Sequence, residues 1–340
     1  MMEGGKRKAD DEGETTEVKI AMLASMHPDV GPEKLLDMLV AHQGSIASTT
    51  AALRRPKPSA KQQSSLRRYA PITSSSGRKI KAVKGRTLHV FDPVDVAEHT
   101  PCTVVHDFLP AGVAEGLLRE LLAEAETFER SSFKLFENVV ESPHSAAFFV
   151  EGGEERVLRE EYFYNGSRLT DVRTITPFLA KVKPRVQEAV NREIQHRIAT
   201  HYPNGRKLRH QPPGPWTANS AFVNCYGGGN ESVGWHSDQL TYLGPRAVIG
   251  SLSLGVTREF RVRRVAVGGD DVGDEASQGV ISIHLPHNSL LVMHAEMQEE
   301  WKHCVAPAAA IDAHPVSGNR RINVTYRDYR AVGMLHVLLG

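Results

Sequence analysis

His236 and Asp238 close the stretch at residues 222–238, FVNCYGGGNESVGWHSD. In an extended chain, residues two apart point to the same side, so this imidazole and this carboxylate can share one ion. The chain has sixteen His, so a single His-x-Asp is weak evidence by itself. A second stretch, RINVTYR at 321–327, adds to it. At period two, Arg321, Asn323, Thr325 and Arg327 share one face, and Ile322, Val324 and Tyr326 share the other. The second face is ordinary core. The first is costly, because neighbouring guanidinium groups repel unless an anion lies between or above them. The planar Arg fork matches a carboxylate bidentately; pairing with local Asp or Glu is the plainer alternative.

The two stretches together suggest one site. A facial triad of two His and one carboxylate suits iron(II) and leaves coordination positions open, two of which a dicarboxylate can fill. The missing His should come from a strand before the Arg pair. His303 is favoured because Trp301-Lys302-His303 starts an extended segment leading towards Arg321. His294 ends the apolar run 290–293 and reads as a turn residue, and His284 and His287 flank Pro286 in a tight connection.

Over residues 104–330 the chain resembles the AlkB-like Fe(II)- and 2-oxoglutarate-dependent dioxygenases. The resemblance rests on the ordered set Asn224-x-Tyr226, His236-x-Asp238, Ser251-Leu252-Ser253-Leu254-Gly255, Trp301-x-His303 and Arg321-x-Asn323-x-Thr325-x-Arg327. It implies His236, Asp238 and His303 as iron ligands and Arg321 on the distal carboxylate of 2-oxoglutarate. It also implies Arg327 and Asn323 at the metal-side end, with Asn224 and Tyr226 adding hydrogen bonds. The pattern looks closest to the nucleic-acid demethylases of that family.

Around this centre the chain sorts into segments. Residues 1–15 are charged and Gly-rich, and disorder is expected there. From 16 to 54, an apolar pattern broken at Pro28, Gly31-Pro32 and Gln43-Gly44 predicts three short helices. This unit resembles a CUE domain and implies ubiquitin as a partner. Met26-His27-Pro28 and Ala52-Leu53 depart from that family's Met-Phe-Pro and Leu-Leu, and a small bundle with another partner or none is the alternative. Residues 55–100 read as a basic flexible linker, with Arg and Lys and no acid from 54 to 90; such a segment attracts nucleic acid, serves nuclear import or simply tethers.

The dioxygenase domain is expected over 101–335. It should carry a helix through Leu117, Leu118, Leu121 and Leu122, a loop-rich region to 160, and a helix over 184–198 with Pro184 in its first turn. From Trp216 onward, repeated short strands predict a mainly β fold with flanking helices, a double-stranded β-helix or jelly roll. An acidic hairpin tip or disordered insert is expected at 268–278. Net charge is +1 and the three Cys show no paired spacing, which argues for a reducing compartment. No apolar run approaches a membrane span and the N-terminus is not a secretory signal, so a nuclear or cytoplasmic protein is expected.

For substrate, the aromatic run Tyr162-Phe163-Tyr164 is a candidate to hold a base out of its stack, the alternative being core. Gln239 and Leu240 follow the metal pair, and Leu240 stands where repair relatives carry an acid beside a cationic base. Arg258, Arg261, Arg263 and Arg264 suggest phosphate contacts, or a solvated face. The resulting expectation is oxidative removal of N-methyl groups from bases in DNA or RNA. A protein or small-molecule substrate, or a ubiquitin- or chromatin-linked binding module, are the alternatives.

Overall fold

The computed structural model describes residues 16–27, 30–42, 44–54, 82, 85–130, 132–135, 138–152, 162–164, 167–169, 171–265 and 279–329. The segment at 1–15, most of the basic linker and the acidic tip at 268–278 lie outside these residues. The chain divides into two units, residues 1–72 and 73–340.

The first unit has helices Thr16–Met26, Pro32–Ala41 and Ile46–Arg54. Leu23, Leu35 and Leu39 are buried between them, with Ile20, Ile46 and Leu53 packed alongside. Pro32 sits in the first turn of its helix, where a missing N–H costs nothing. The turn before the third helix uses Gly44 at φ +77° and a bond from Lys19 Nζ to the Gly44 carbonyl (2.9 Å).

The second unit is built on two sheets. The seven-stranded sheet runs Cys102–Val105, Ser289–Met293, Ile249–Gly255, Arg321–Arg327, Ser220–Tyr226, Ser145–Val150 and Val172–Thr174. The five-stranded sheet runs Leu88–Val90, Ile281–Leu285, Arg258–Arg264, Trp301–Val305 and Val233–His236. Alternation along each strand fixes which face is which. Ile322, Val324 and Tyr326 join Ala221, Val223, Leu252, Leu254, Leu290 and Val292 on a face covered by two helices. The other face of the large sheet turns towards the small sheet, where Ile249, Leu291 and Met293 meet Phe260, Val262, Ile283 and Val305. This is the expected jelly roll with flanking helices.

The helix expected over 184–198 runs instead from Pro177 to His201, with Pro184 inside it. Its start is specified seven residues earlier. Thr176 caps it, accepting from Leu179 N (3.4 Å), Pro177 occupies the first turn, and Glu120 of the neighbouring helix accepts from Phe178 N (3.2 Å). A carboxylate there also complements the helix dipole. The region read as loop to 160 contains the strand Ser145–Val150, whose Ala-Ala-Phe-Phe-Val run is buried. The linker expected over 55–100 also ends early. Leu88–Val90 pairs in parallel with Ile281–Ile283, and Asp92 caps the helix Pro93–His99 by accepting from Val94 N (2.8 Å).

One glycine is critical to the register. Gly255 lies at φ +88°, opposite Arg321, and a Cβ there would run into the Arg320 carbonyl. Gly255→Ala should therefore cost roughly 1–3 kcal/mol, read as a Tm fall of several degrees in thermal denaturation. An unchanged Tm would show that the turn tolerates a side chain.

Candidate active site

The register of the small sheet brings the two histidines together. His236 ends the strand Val233–His236 and pairs directly with His303 on Trp301–Val305, their ring centroids 4.2 Å apart. Asp238, two residues on, reaches the same point. Its Oδ1 lies 3.7 Å from His236 Nε2 and 3.8 Å from His303 Nε2. These distances are too long for hydrogen bonds and leave room for an ion between three converging donors. His294, by contrast, is buried elsewhere, 3.2 Å from Thr103 Oγ1, outside the cluster of His236, Asp238 and His303.

The protonation states suit ligation. His236 Nδ1 lies 2.8 Å from the Gly234 carbonyl. A donor is required on that nitrogen, which leaves Nε2 free to bind a cation. Burial, reinforced by the nearby His236, pushes the His303 imidazole down to about 3, so it is neutral at physiological pH. At Asp238 burial opposes the charge most strongly, yet Arg327, His303 and His236 together hold the carboxyl below its usual range. Arg327 Nη2 binds Asp238 Oδ2 at 2.6 Å, leaving Oδ1 towards the histidines. The Asp238 N–H donates to Gln298 Oε1 (2.7 Å), which fixes the backbone.

The polar face of Arg321–Arg327 lies opposite this cluster, inside the roll. Arg321 pairs with Tyr226 in register, Asn323 with Asn224 and Ser253, and Thr325 with Ser251. Asn323 Nδ2 donates to Ser251 Oγ (2.8 Å). Arg321 is 1% exposed. It donates from Nη2 to Ser253 Oγ (2.7 Å), while Nε and Nη1 are buried without an acceptor in hydrogen-bond geometry. Among the described residues, no carboxylate pairs with it. Burial lowers its pKa to about 10. A cation in this state is waiting for an anion. The donor set and this orphaned guanidinium fit an iron(II) ion and a dicarboxylate.

Not every expected contact lies here. Tyr162 is core, packed with Phe148 and Tyr329. Only the backbone of Tyr164 is described, in a two-residue strand with Phe163. Arg258 is also buried, since it shares a strand face with Phe260 and Val262. It donates to the carbonyls of Gly228 (3.0 Å), Glu231 (2.6 Å) and Ala306 (2.7 Å) and so pins the glycine loop. Arg261 is on the sheet face opposite His303, bonded to Glu259 (2.9 Å). Leu240 packs against the core between the sheets. Gln239 does line a pocket beside Asp238 and Arg327, with Phe148, Leu169, Tyr242, Leu243 and Tyr329. Tyr242 and Tyr329 stack at 5.5 Å and 8°.

His144 escaped sequence reasoning. Its ring stacks on Tyr226 (4.9 Å) and lies 3.1 Å from both Asn224 Oδ1 and the Ser232 carbonyl. Recognising Ser145–Val150 as a strand would have found it, because Ser145 opposite Cys225 brings residue 144 beside Tyr226.

The chain matches the 2OG-Fe(II) oxygenase superfamily over residues 101–327. It is 38% identical over 111 residues to the Alpha-ketoglutarate-dependent dioxygenase alkB homolog 3 of Rattus norvegicus, covering 33% of this chain and 35% of that protein. It is 30% identical over 122 residues to the DNA oxidative demethylase ALKBH2 of Arabidopsis thaliana, covering 32% and 37%. The matched region thus spans about a third of the length of these curated relatives. The solved structure of OsALKBH1 covers 68% of this chain and 99% of its own at 14% identity, with a TM-score of 0.45.

If the three converging donors bind the metal, His303→Ala should abolish iron-dependent conversion of 2-oxoglutarate to succinate. His294→Ala should retain most of it once folded protein is isolated. The reverse result in a succinate assay would place the metal elsewhere.

Proposed function

We propose, from the premise that the chain belongs to the 2OG-Fe(II) oxygenase superfamily, that it removes N-methyl groups from nucleobases in DNA or RNA. The observation carrying this reading is the triad of His236, Asp238 and His303 facing a buried Arg321 that lacks an anion, with an aromatic pocket alongside. The names of the relatives, dioxygenases and DNA oxidative demethylases, support the substrate class.

His236 Nε2, His303 Nε2 and Asp238 Oδ1 would hold iron(II). Arg321 would receive the distal carboxylate of 2-oxoglutarate through its free Nε and Nη1. Tyr226 and Asn224, positioned by His144, and Asn323 would line its path to the metal. Arg327 serves this pocket through Asp238, turning that carboxylate so that one oxygen faces the ion. Bound iron(II) with 2-oxoglutarate supplies oxidation of a C–H bond by O2, releasing succinate and CO2. A hydroxymethyl group so formed on nitrogen leaves as formaldehyde.

The pocket lined by Phe148, Leu169, Gln239, Tyr242, Leu243 and Tyr329 would hold the base by its flat faces, at a cost in unstacking of a few kcal/mol. For the N-terminal helices, ubiquitin is the partner we propose, on a surface where Met26, Leu36 and Val40 expose apolar side chains. We place the protein in the nucleus or cytoplasm.

The pocket predicts weak selection for charge. Among the described residues its one carboxylate, Asp238, is already neutralised by Arg327, while Asp171 and Glu231 are bound to Arg173 and Arg130. Turnover of cationic 3-methylcytosine and of a neutral N-methyl base in the same oligonucleotide should differ by less than about tenfold, worth about 1.4 kcal/mol. Formaldehyde release on the two substrates measures this. A hundredfold preference for the cation would contradict it, and no release from any methylated oligonucleotide would overturn the nucleic-acid reading itself.

A further inference from the structure

Two other groups of possible metal ligands occur among the described residues. Asp95, Glu98 and His99 share one seven-residue helix and amount to a solvated surface. His89, Glu259 and His284 differ, because three strands bring them together. Glu259 on Arg258–Arg264 lies directly opposite His284 on Ile281–Leu285. His89 belongs to the parallel edge strand Leu88–Val90, opposite Ser282 and so one pleat from His284. Their neighbours Phe260 and Ile283 face the core between the sheets. The three side chains therefore project from the outer face, away from His303.

The local geometry is close to that of a bound ion. His89 Nδ1 lies 2.9 Å from His284 Nε2, and one donor atom from each of the three residues falls within 4.8 Å of the others. Donors at about 2.0–2.1 Å from a tetrahedral ion sit about 3.3 Å apart, so a small separation of the two rings admits one. The other groups are already oriented. Glu259 Oε2 accepts from Arg261 Nε (2.9 Å) and Ser282 Oγ (2.8 Å), the outer-shell support a ligating carboxylate needs. Phe91 stacks on His284 at 4.2 Å and 19°, which fixes the plane of that ring.

We propose that His89, Glu259 and His284 form a second metal site, for a divalent ion of the zinc class. Two imidazoles and a carboxylate suit such an ion, and water completes the shell on the exposed side. The ion would cross-link an edge strand of only three residues to the next two strands of its sheet. Binding to the folded state alone stabilises it by mass action, so this ion would fasten the start of the second unit. The proposal does not depend on the reaction at the other site.

The test uses the full chain, stripped of metal and dialysed against micromolar Zn2+, in a His303→Ala background that disables the site inside the roll. The expected result is one bound zinc per chain by atomic absorption, with a Tm that rises with Zn2+. Adding His89→Ala, an exposed position that leaves the core untouched, should reduce zinc to none and remove the Tm rise. Adding Glu259→Gln in its place should weaken binding at least tenfold. No zinc on His303→Ala, or one zinc persisting after His89→Ala is added, overturns the proposal.

Discussion

The buried ion pair between Arg327 and Asp238 is what the rest of the site depends on. Arg327 comes from the large sheet and Asp238 from the end of a small-sheet strand, and they meet at 2.6 Å with side chains 7% and 3% exposed. Desolvating two charges is expensive unless geometry and further hydrogen bonds are good. Here the pair joins the two layers and determines which carboxylate oxygen faces His236 and His303. Loss of Arg327 would leave a buried carboxylate beside two imidazoles with no fixed direction.

The same arrangement explains why Arg321 behaves differently from Arg327 although both lie on one strand face. One guanidinium has a carboxylate partner within the chain, and among the described residues the other has none. Tyr226 lies against Arg321, with Arg258 on it as well, their guanidinium carbons 5.4 and 5.7 Å from the ring centroid. Arg258 is held by backbone carbonyls that carry no net charge, so among the described residues two cations share a dry space with no carboxylate ion-paired to either. A dicarboxylate spanning from Arg321 to a metal at the triad would relieve that imbalance. This gives the interior polar face a physical reason to exist inside an otherwise apolar roll.

Much of this was legible from period-two alternation. RINVTYR separated its polar and core faces because one side of its strand meets the helix-covered core and the other a polar interior, although all seven residues are buried. His236 and Asp238 were picked out by the spacing of two alone, since Val233–His236 is an edge strand, and His303 was favoured over His294 because it starts an extended run. Local alternation failed where burial depended on distant partners. Arg258 looked like a surface cation, yet its carbonyl acceptors are up to 48 residues away in sequence. Leu240 and Tyr162 were placed by position or composition, whereas packing against distant strands decides where they point. The strand Ser145–Val150 lacks alternation because it is buried on both faces, and missing it hid His144. The helix start at Pro177 was readable from Thr176-Pro177, but Pro184 offered a competing start.

The most direct test of the central claim is the affinity for 2-oxoglutarate, measured by anaerobic calorimetry on the iron(II) protein and on Arg321→Met. Replacing an unpaired buried cation by an apolar chain of similar length should not unfold the protein. The account predicts at least a hundredfold weaker binding of 2-oxoglutarate to Arg321→Met, equivalent to about 2.7 kcal/mol. A 2-oxo acid lacking the distal carboxylate should bind wild type and variant alike. Equal affinity of 2-oxoglutarate for both proteins would contradict the claim.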